Sequence, residues 1–396
     1  MATGNSDTRR PEPGTSLPVV AASLLLGGCA TLEDFRNVLR GADRTVPVDV
    51  AERPLEEPIS RNRFVLESPG QSVVGEPQIV YARDTDTFSD LAREYGLGYD
   101  ELVDANPGVD PWLPGEGTAV LLPTQYVLPD VPRRGLVLNI ASKRLFYFPT
   151  VVDGPVEGHS QEVLTFPIGI GRVGWETPLG ETKVVSRATD PTWYVPASIR
   201  QEHAEMGDPL PAVVPPGPDN PLGSHVLKLE MPGYLIHGTN QPYGVGMRVS
   251  HGCVRLYPEN IELLFSLVEI GEPVRIVNEP FLLGSLGGEY YFESHAPLED
   301  DAVAVEERID TLLERWQSPE GPALNRLAAE HVRALASTAH GVPVRVSQYD
   351  LQEMYARARP VRNTVEADPD APTLSEVRDM IDEAVREAER DEEGPL

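Results

Sequence analysis

Between residues 133 and 278 the chain offers one strand-like segment after another, separated by proline- and glycine-rich loops. The stretch "GLVLNIASKRLFYFP" alternates in two halves about Ala141 to Lys143 and reads as a β-hairpin. "EVLTFPIGIG", "GETKVVSRA", "HVLKLE", "GYLIHG" and "EPVRIVN" read as further strands, with one helix expected from Pro258 to Glu269. The pattern predicts a mainly β domain over 133–278. Within it, the stretch from Pro191 to Asn220 holds seven prolines and reads as a long loop, of a length at which loops are usually functional or disordered.

The flanks carry different patterns. Over 78–123 the order is strand ("QIVYA"), helix, helix and strand ("TAVLLP"), a small α+β unit. Phe88, Leu91, Ala92 and Tyr95 share one helical face that stops at Gly96, and the second helix ends at Asn106-Pro107. Residues 30–77 are rich in Pro, Glu and Arg with weak periodicity and read as a linker. Residues 279–396 open with a hairpin, "PFLLGSLGGEYYFES", turning at Gly287-Gly288, and continue as an acidic helical extension. Val305, Ile309, Leu312, Leu313 and Trp316 form one apolar face there, Leu324, Leu327 and Leu335 part of a second, and Thr373-x-x-Glu376 reads as a capping box near a solvated end.

The formal charge of -29, with only Lys143, Lys183 and Lys228 as lysines, argues against nucleic acid as a partner. Two cysteines occur. Cys29 closes "LPVVAASLLLGGCA", an apolar run behind Arg9 and Arg10 of signal-peptide length. Its ending, Leu26-Gly27-Gly28-Cys29, resembles a bacterial lipobox, so residues 1–29 are expected to be a lipoprotein-type signal peptide and Cys29 the lipidated residue. The protein is then expected in the periplasm of a Gram-negative bacterium, held to a membrane by lipid.

Cys253 is left without an intramolecular partner in a compartment where cysteines usually pair. A thiol of ordinary pKa, about 8.5, is only slightly ionised at neutral pH and needs a base or a positive neighbour to attack. His251 and His237 are the histidines at hand. Strand alternation would aim His251 and Cys253 the same way, whereas His237 would approach from an adjacent strand. Gly252 lets a substrate carbonyl come close to the backbone, and the N–H groups about Gly252 and Cys253 suit an oxyanion. A Cys-His-His set also suits zinc, and spacing does not exclude it.

"YLIHGTNQPYGVGMRVSHGCVRL", with "TPLGETKV" and "PTWYVP", resembles the YkuD-type L,D-transpeptidases over 133–278, and "DTDTFSDLAREYG", "ELVDANPGVD" and "GTAVLLP" resemble a LysM module over 78–123. The order of the parts resembles the ErfK/YbiS subgroup. The resemblance implies a YkuD-like β-sandwich, no metal or other cofactor, Cys253 as nucleophile and His237 as general acid/base. It gives His251 and Gly252 a part in orienting the site and stabilising the oxyanion, and Ser250, Arg255, Trp193 and Tyr194 a part in holding the thiol loop or the donor peptide. In the LysM module it implies glycan contacts at Asp84, Thr85, Asp86 and Thr87, and at Asn106, Pro107, Gly108, Val109 and Asp110. The implied partners are peptidoglycan tetrapeptide stems and glycan strands. The acceptor is a lysine of an outer-membrane lipoprotein, with 3-3 cross-linking as the alternative and an inactive wall-binding anchor or a cysteine peptidase further off. With the two sites in separate domains, loss of 78–123 is expected to spare turnover of small soluble muropeptides.

Overall fold

The computed structural model describes residues 50, 52–59, 62–68, 70–149, 161–317, 324, 326–347 and 351–366. The leader with Cys29, the start of the linker, and the acidic end with Thr373 lie outside the described residues.

A nine-stranded mixed sheet carries the region expected to be mainly β. Its order is β1 (Arg63–Leu66), β8 (Gln161–Pro167), β7 (Arg144–Phe148), β6 (Gly135–Asn139), β17 (Pro273–Val277), β10 (Gly180–Thr189), β13 (His225–Leu229), β14 (Leu235–His237) and β16 (Val254–Arg255). β6 and β7 form the expected hairpin, and Lys143, at φ 51°, sits in its turn. β10 serves both halves of the sheet: Gly180 to Lys183 pair with β17 and Val184 to Thr189 with β13, with a bulge between Val184 and Ser186. A bulge bends and twists its strand. One core therefore gathers Leu138, Leu145 and Phe166 from one half with Leu227, Ile236 and Val254 from the other. Helix α4 (Pro258–Leu267) closes that core with Ile261 and Leu264.

The proline-rich stretch is more than a loop. β11 (Trp193–Tyr194) pairs with β12 (Val213–Val214), and α3 (Ala197–Glu205) lies between them, making a flap.

Residues 78–123 show the expected order: β3 (Gln78–Tyr81), α1 (Phe88–Glu94), α2 (Tyr99–Ala105) and β4 (Ala119–Leu122). Thr87 caps α1 by accepting from the Asp90 amide, and Phe88, Leu91, Ala92 and Tyr95 are buried.

Two expectations are corrected. The linker assigned to 30–77 is structured at its end: β1 is an edge strand paired to β8, and β2 (Val73–Gly75) pairs with β5 (Gln125–Val127). These strands are three or four residues long, too short to leave a periodic signal, yet Leu66, Val73 and Val74 are buried. The C-terminal region is no trailing extension. Its hairpin, β18 (Phe281–Leu286) and β19 (Glu289–Ser294), turns at Gly287-Gly288 as expected, and β20 (Val344–Arg345) then adds to β19. Helices α5 (Val305–Gln317), α6 (Arg326–Leu335) and α7 (Leu351–Arg357) lead to β21 (Arg359–Val361), which pairs in parallel with β3. Ile79 and Leu121 share a core with Phe292, Leu312, Val332 and Ala358.

The 78–123 unit is also welded to the nine-stranded sheet. Arg144, 1% exposed on β7, meets both carboxylate oxygens of Glu101 on α2 at 2.7 Å, donates to Gly96 O at 3.1 Å and Thr165 Oγ1 at 3.2 Å, and lies 4.1 Å from the centre of the Tyr126 ring. Burial opposes the guanidinium charge, but Glu101, Tyr126 and Glu293 more than offset it. Beside this pair the backbones of Gly98 and Gly246 touch: a Cβ on Gly246, at φ 87°, would stand 2.3 Å from Gly98 Cα. The Tyr99 amide donates to Val245 O at 3.2 Å. Removing 78–123 would therefore bare a buried arginine and the segment leading to Cys253, so the two regions are not separable.

Candidate active site

Short strands and tight turns set the site. His237 ends β14, and β16 runs parallel to it with His237 opposite Arg255. Cys253 lies just before β16, which brings its sulfur to the start of β14. There Sγ donates to Gly233 O at 3.7 Å and faces the Leu235 amide. His237, two residues along the same strand, is 3% exposed, with Nδ1 2.6 Å from Gly238 O. A carbonyl only accepts, so Nδ1 carries the proton and Nε2 is the basic nitrogen.

The expected strand alternation through His251 and Cys253 fails. β15 (Arg248–Ser250), paired with β9 (Ile170–Gly171), stops at Ser250, and Gly252 has φ 94°. A Cβ at Gly252 would stand 3.0 Å from the Tyr234 ring as well as being strained. Side chains hold this irregular loop instead. The Ser250 hydroxyl, buried, donates to Cys253 O at 2.5 Å, and Thr177 Oγ1 donates to Gly252 O at 3.0 Å. His251 turns to the flap: its Nε2 lies 2.8 Å from Glu202 Oε2, and Trp175 packs edge-on against its ring at 4.9 Å.

Of the other expected residues, Arg255 lies in the site; its Nε is buried with no hydrogen-bond partner among the described residues. Trp193 and Tyr194 form β11 of the flap, and Tyr194 stands 74% exposed. In the 78–123 unit two expected glycan contacts are corrected, because their side chains are buried in internal bonds. Asp86 accepts from the Arg83 amide and from Asn363 Nδ2, and Asn106 bridges Leu102 O, Leu121 O and the Leu121 amide. Thr87 is occupied as the α1 cap, and Asp110 accepts from the Trp112 amide. Val109 packs on the core. Asp84 and Thr85 are half-buried, while Pro107 and Gly108 are exposed.

Sequence reasoning missed Thr177, Arg172, Trp175 and Glu202. Thr177 lies in the quoted "TPLG" stretch and was legible as a motif member; Glu202 sits in a stretch whose spacing carries no signal. Among the described residues no group of three or more His, Cys, Asp or Glu side chains is arranged to hold a metal ion.

Residues 133–276 match the L,D-transpeptidase catalytic domain family, YkuD. A probable L,D-transpeptidase of Escherichia coli K12, YcfS, is 36% identical over 304 residues, covering 74% of this chain and 91% of the relative. The chain belongs to the YkuD family of L,D-transpeptidases. The probable L,D-transpeptidase YbiS of the same strain is 41% identical over 239 residues, 59% of this chain and 75% of its own. ErfK/SrfK of Salmonella typhimurium, also named a probable L,D-transpeptidase, is 38% identical over 247 residues, 61% and 77%.

In this L,D-transpeptidase the resting charges follow from burial. Burial pushes the Cys253 thiol up, against the pull of the Leu235 amide and the Arg255 guanidinium. Burial, reinforced by Arg255, pushes the His237 imidazole down to about 3, while the Gly238 and Leu222 carbonyls pull the other way. Burial also lowers Arg255 and His251. These shifts favour the neutral thiol and the neutral imidazole at rest.

Proposed function

We propose that Cys253 attacks the carbonyl between meso-diaminopimelate and D-alanine in a peptidoglycan tetrapeptide stem. The observation that carries this reading is the half-buried thiol beside the start of β14, with a buried, neutral imidazole two residues along the same strand. His237 Nε2 takes the thiol proton as sulfur bonds to carbon, and returns it to the departing D-alanine nitrogen as the C–N bond breaks. A thioester on Cys253 remains. An incoming amine then attacks the thioester and loses its proton to His237; sulfur leaves and is reprotonated. One amide replaces another, so the exchange needs no external energy source. The oxyanion is received at the His251-Gly252-Cys253 backbone, and Arg255, with its unpaired buried Nε, receives the carboxylate of the terminal D-alanine.

The amine is a lysine at the end of an outer-membrane lipoprotein. Supporting this, the chain carries a net charge of -29, and Glu176 stands exposed at the rim of the site with its backbone against Gly252. A cationic peptide end is drawn to such a surface at low salt, and an anionic stem is not. The enzyme works in the periplasm, anchored by lipid on Cys29, with the 78–123 unit as a LysM module holding glycan strands.

Purified enzyme incubated with defined muropeptides and a lysine-ended lipoprotein peptide tests the reading by mass spectrometry. D-alanine release with a lysine adduct, at a rate falling as salt rises, is expected. Faster formation of 3-3 dimers with no lysine adduct would assign the enzyme to cross-linking. Release with neither product would make it a carboxypeptidase, and cleavage of proteins in place of stems would make it a peptidase.

A further inference from the structure

The nucleophile loop is braced from two sides. From below, the turn after β9 holds it: the Arg172 amide donates to Ser250 O at 3.0 Å, Thr177 holds the Gly252 carbonyl, and Trp175 packs on the His251 ring. From above comes one side chain of the flap. Glu202, on α3, bonds Arg172 through Oε1 and His251 Nε2 through Oε2. The Arg172 hydrogen bond, followed by that from His251, holds the Glu202 carboxyl below its usual range, so it is an acceptor at neutral pH. Burial lowers the His251 pKa; its Nε2 lies 2.8 Å from Glu202 Oε2 and 3.2 Å from Arg172 Nη2, and its ring plane is fixed between Glu202 and Trp175.

We propose that Glu202 is a positioning residue for acyl transfer. It fixes the plane of His251 and so holds the His251-Gly252-Cys253 backbone where the oxyanion forms. The inference rests on the reading that this backbone receives the oxyanion. Glu202 takes no proton and touches no substrate; its contribution passes through His251. Such a brace is needed because Gly252, at φ 94°, has no side chain of its own to restrain the loop. The ion pair that Glu202 makes with Arg172 is partly exposed and contributes little to overall stability, so the brace can be removed without unfolding the protein.

The test uses two reagents for the same thiol in the full-length protein. A carbapenem acylates Cys253 through a tetrahedral oxyanion, whereas iodoacetamide alkylates it at a saturated carbon with no oxyanion. Glu202→Ala is expected to slow acylation by about tenfold or more and to leave the alkylation rate and Tm unchanged, with Glu202→Gln, which keeps an acceptor oxygen, in between. In a His251→Ala background the same substitution is expected to cost less than about twofold, because the route through His251 is already cut. Equal slowing of acylation and alkylation, no slowing of either, or the same loss with and without His251 would each overturn the proposal. Because neither reagent is a muropeptide, failure here is separate from failure to turn over stems.

Discussion

Two arginines on the same sheet, Arg144 buried and Arg255 half-buried, are met in opposite ways. Arg144, on β7, is saturated: two bonds to Glu101, one each to Gly96 and Thr165, and a tyrosine ring beneath it. Arg255, on β16, has a buried Nε without a partner among the described residues, and burial lowers its pKa. A buried cation is costly unless its charge is met. The first is met from within the chain and fastens α2 to the catalytic sheet. The second is left open beside Cys253 and His237, where the proposed mechanism brings the carboxylate of the terminal D-alanine.

The largest effect belongs to the sulfur around which the open arginine is placed. Cys253→Ala is expected to abolish acyl transfer altogether while leaving Tm unchanged, since the thiol's contacts, to Gly233 O at 3.7 Å and to the Leu235 amide, are weak. Turnover persisting above the background without enzyme would remove Cys253 from the mechanism. His237→Ala, measured beside it, is expected to lower kcat by about a hundredfold or more, the usual cost of losing a general base.

Next comes the closed arginine. Glu101→Ala leaves Arg144 buried and unpaired, which is expected to cost about 3–5 kcal/mol in stability. Urea unfolding measures it. The comparison predicts that activity survives in the fraction still folded at low temperature; a variant of normal stability would mean that the pair is not the weld described above.

These two sites also mark how far the sequence could be read. The β6–β7 hairpin, the two helices after β3 and the hairpin at Gly287-Gly288 were legible because local alternation, a 3.6-residue period and glycine punctuation announce them. Cys253 and His237 were legible from their motif. The Arg144–Glu101 pair was not, because it joins residues 43 apart on different elements and neither residue type signals burial. Glu202 was invisible for the same reason, lying 49 residues from His251 in a proline-rich stretch that reads as loop. β1, β2, β20 and β21 are two to four residues long, and their pairing is decided by partners far along the chain. The alternation argument for His251 failed at Gly252, whose positive φ breaks the strand.

A smaller effect sharpens the open side of the comparison. Arg255→Gln removes a buried charge, so Tm is expected to hold or rise. If Arg255 receives the D-alanine carboxylate, KM for a tetrapeptide stem rises by about ten- to a hundredfold, the range of one charge-assisted hydrogen bond. A stem ending in a carboxamide should be affected far less. Should acid and amide suffer alike, the guanidinium serves the thiol and not the substrate.

The smallest effect is one of pH. His237 accepts the thiol proton only when unprotonated, and burial with Arg255 has lowered its pKa to about 3. The base form therefore predominates down to about pH 4, whereas a histidine of ordinary pKa, about 6.5, would lose about 25-fold between pH 7 and 5. Initial rates of D-alanine release are expected to change less than about twofold over that interval. The same shift acts on stability with a definite sign. Between about 6.5 and 3 the unfolded chain holds a proton on this histidine that the folded chain does not, so stability falls as pH falls through that window. Rates must accordingly be read at temperatures where circular dichroism reports folded enzyme. An acid limb centred near the ordinary histidine value, in protein that remains folded, would show that His237 is not shielded as its burial requires. It would also show that Arg255, the cation that helps hold it neutral, is not the open charge that the comparison with Arg144 makes it.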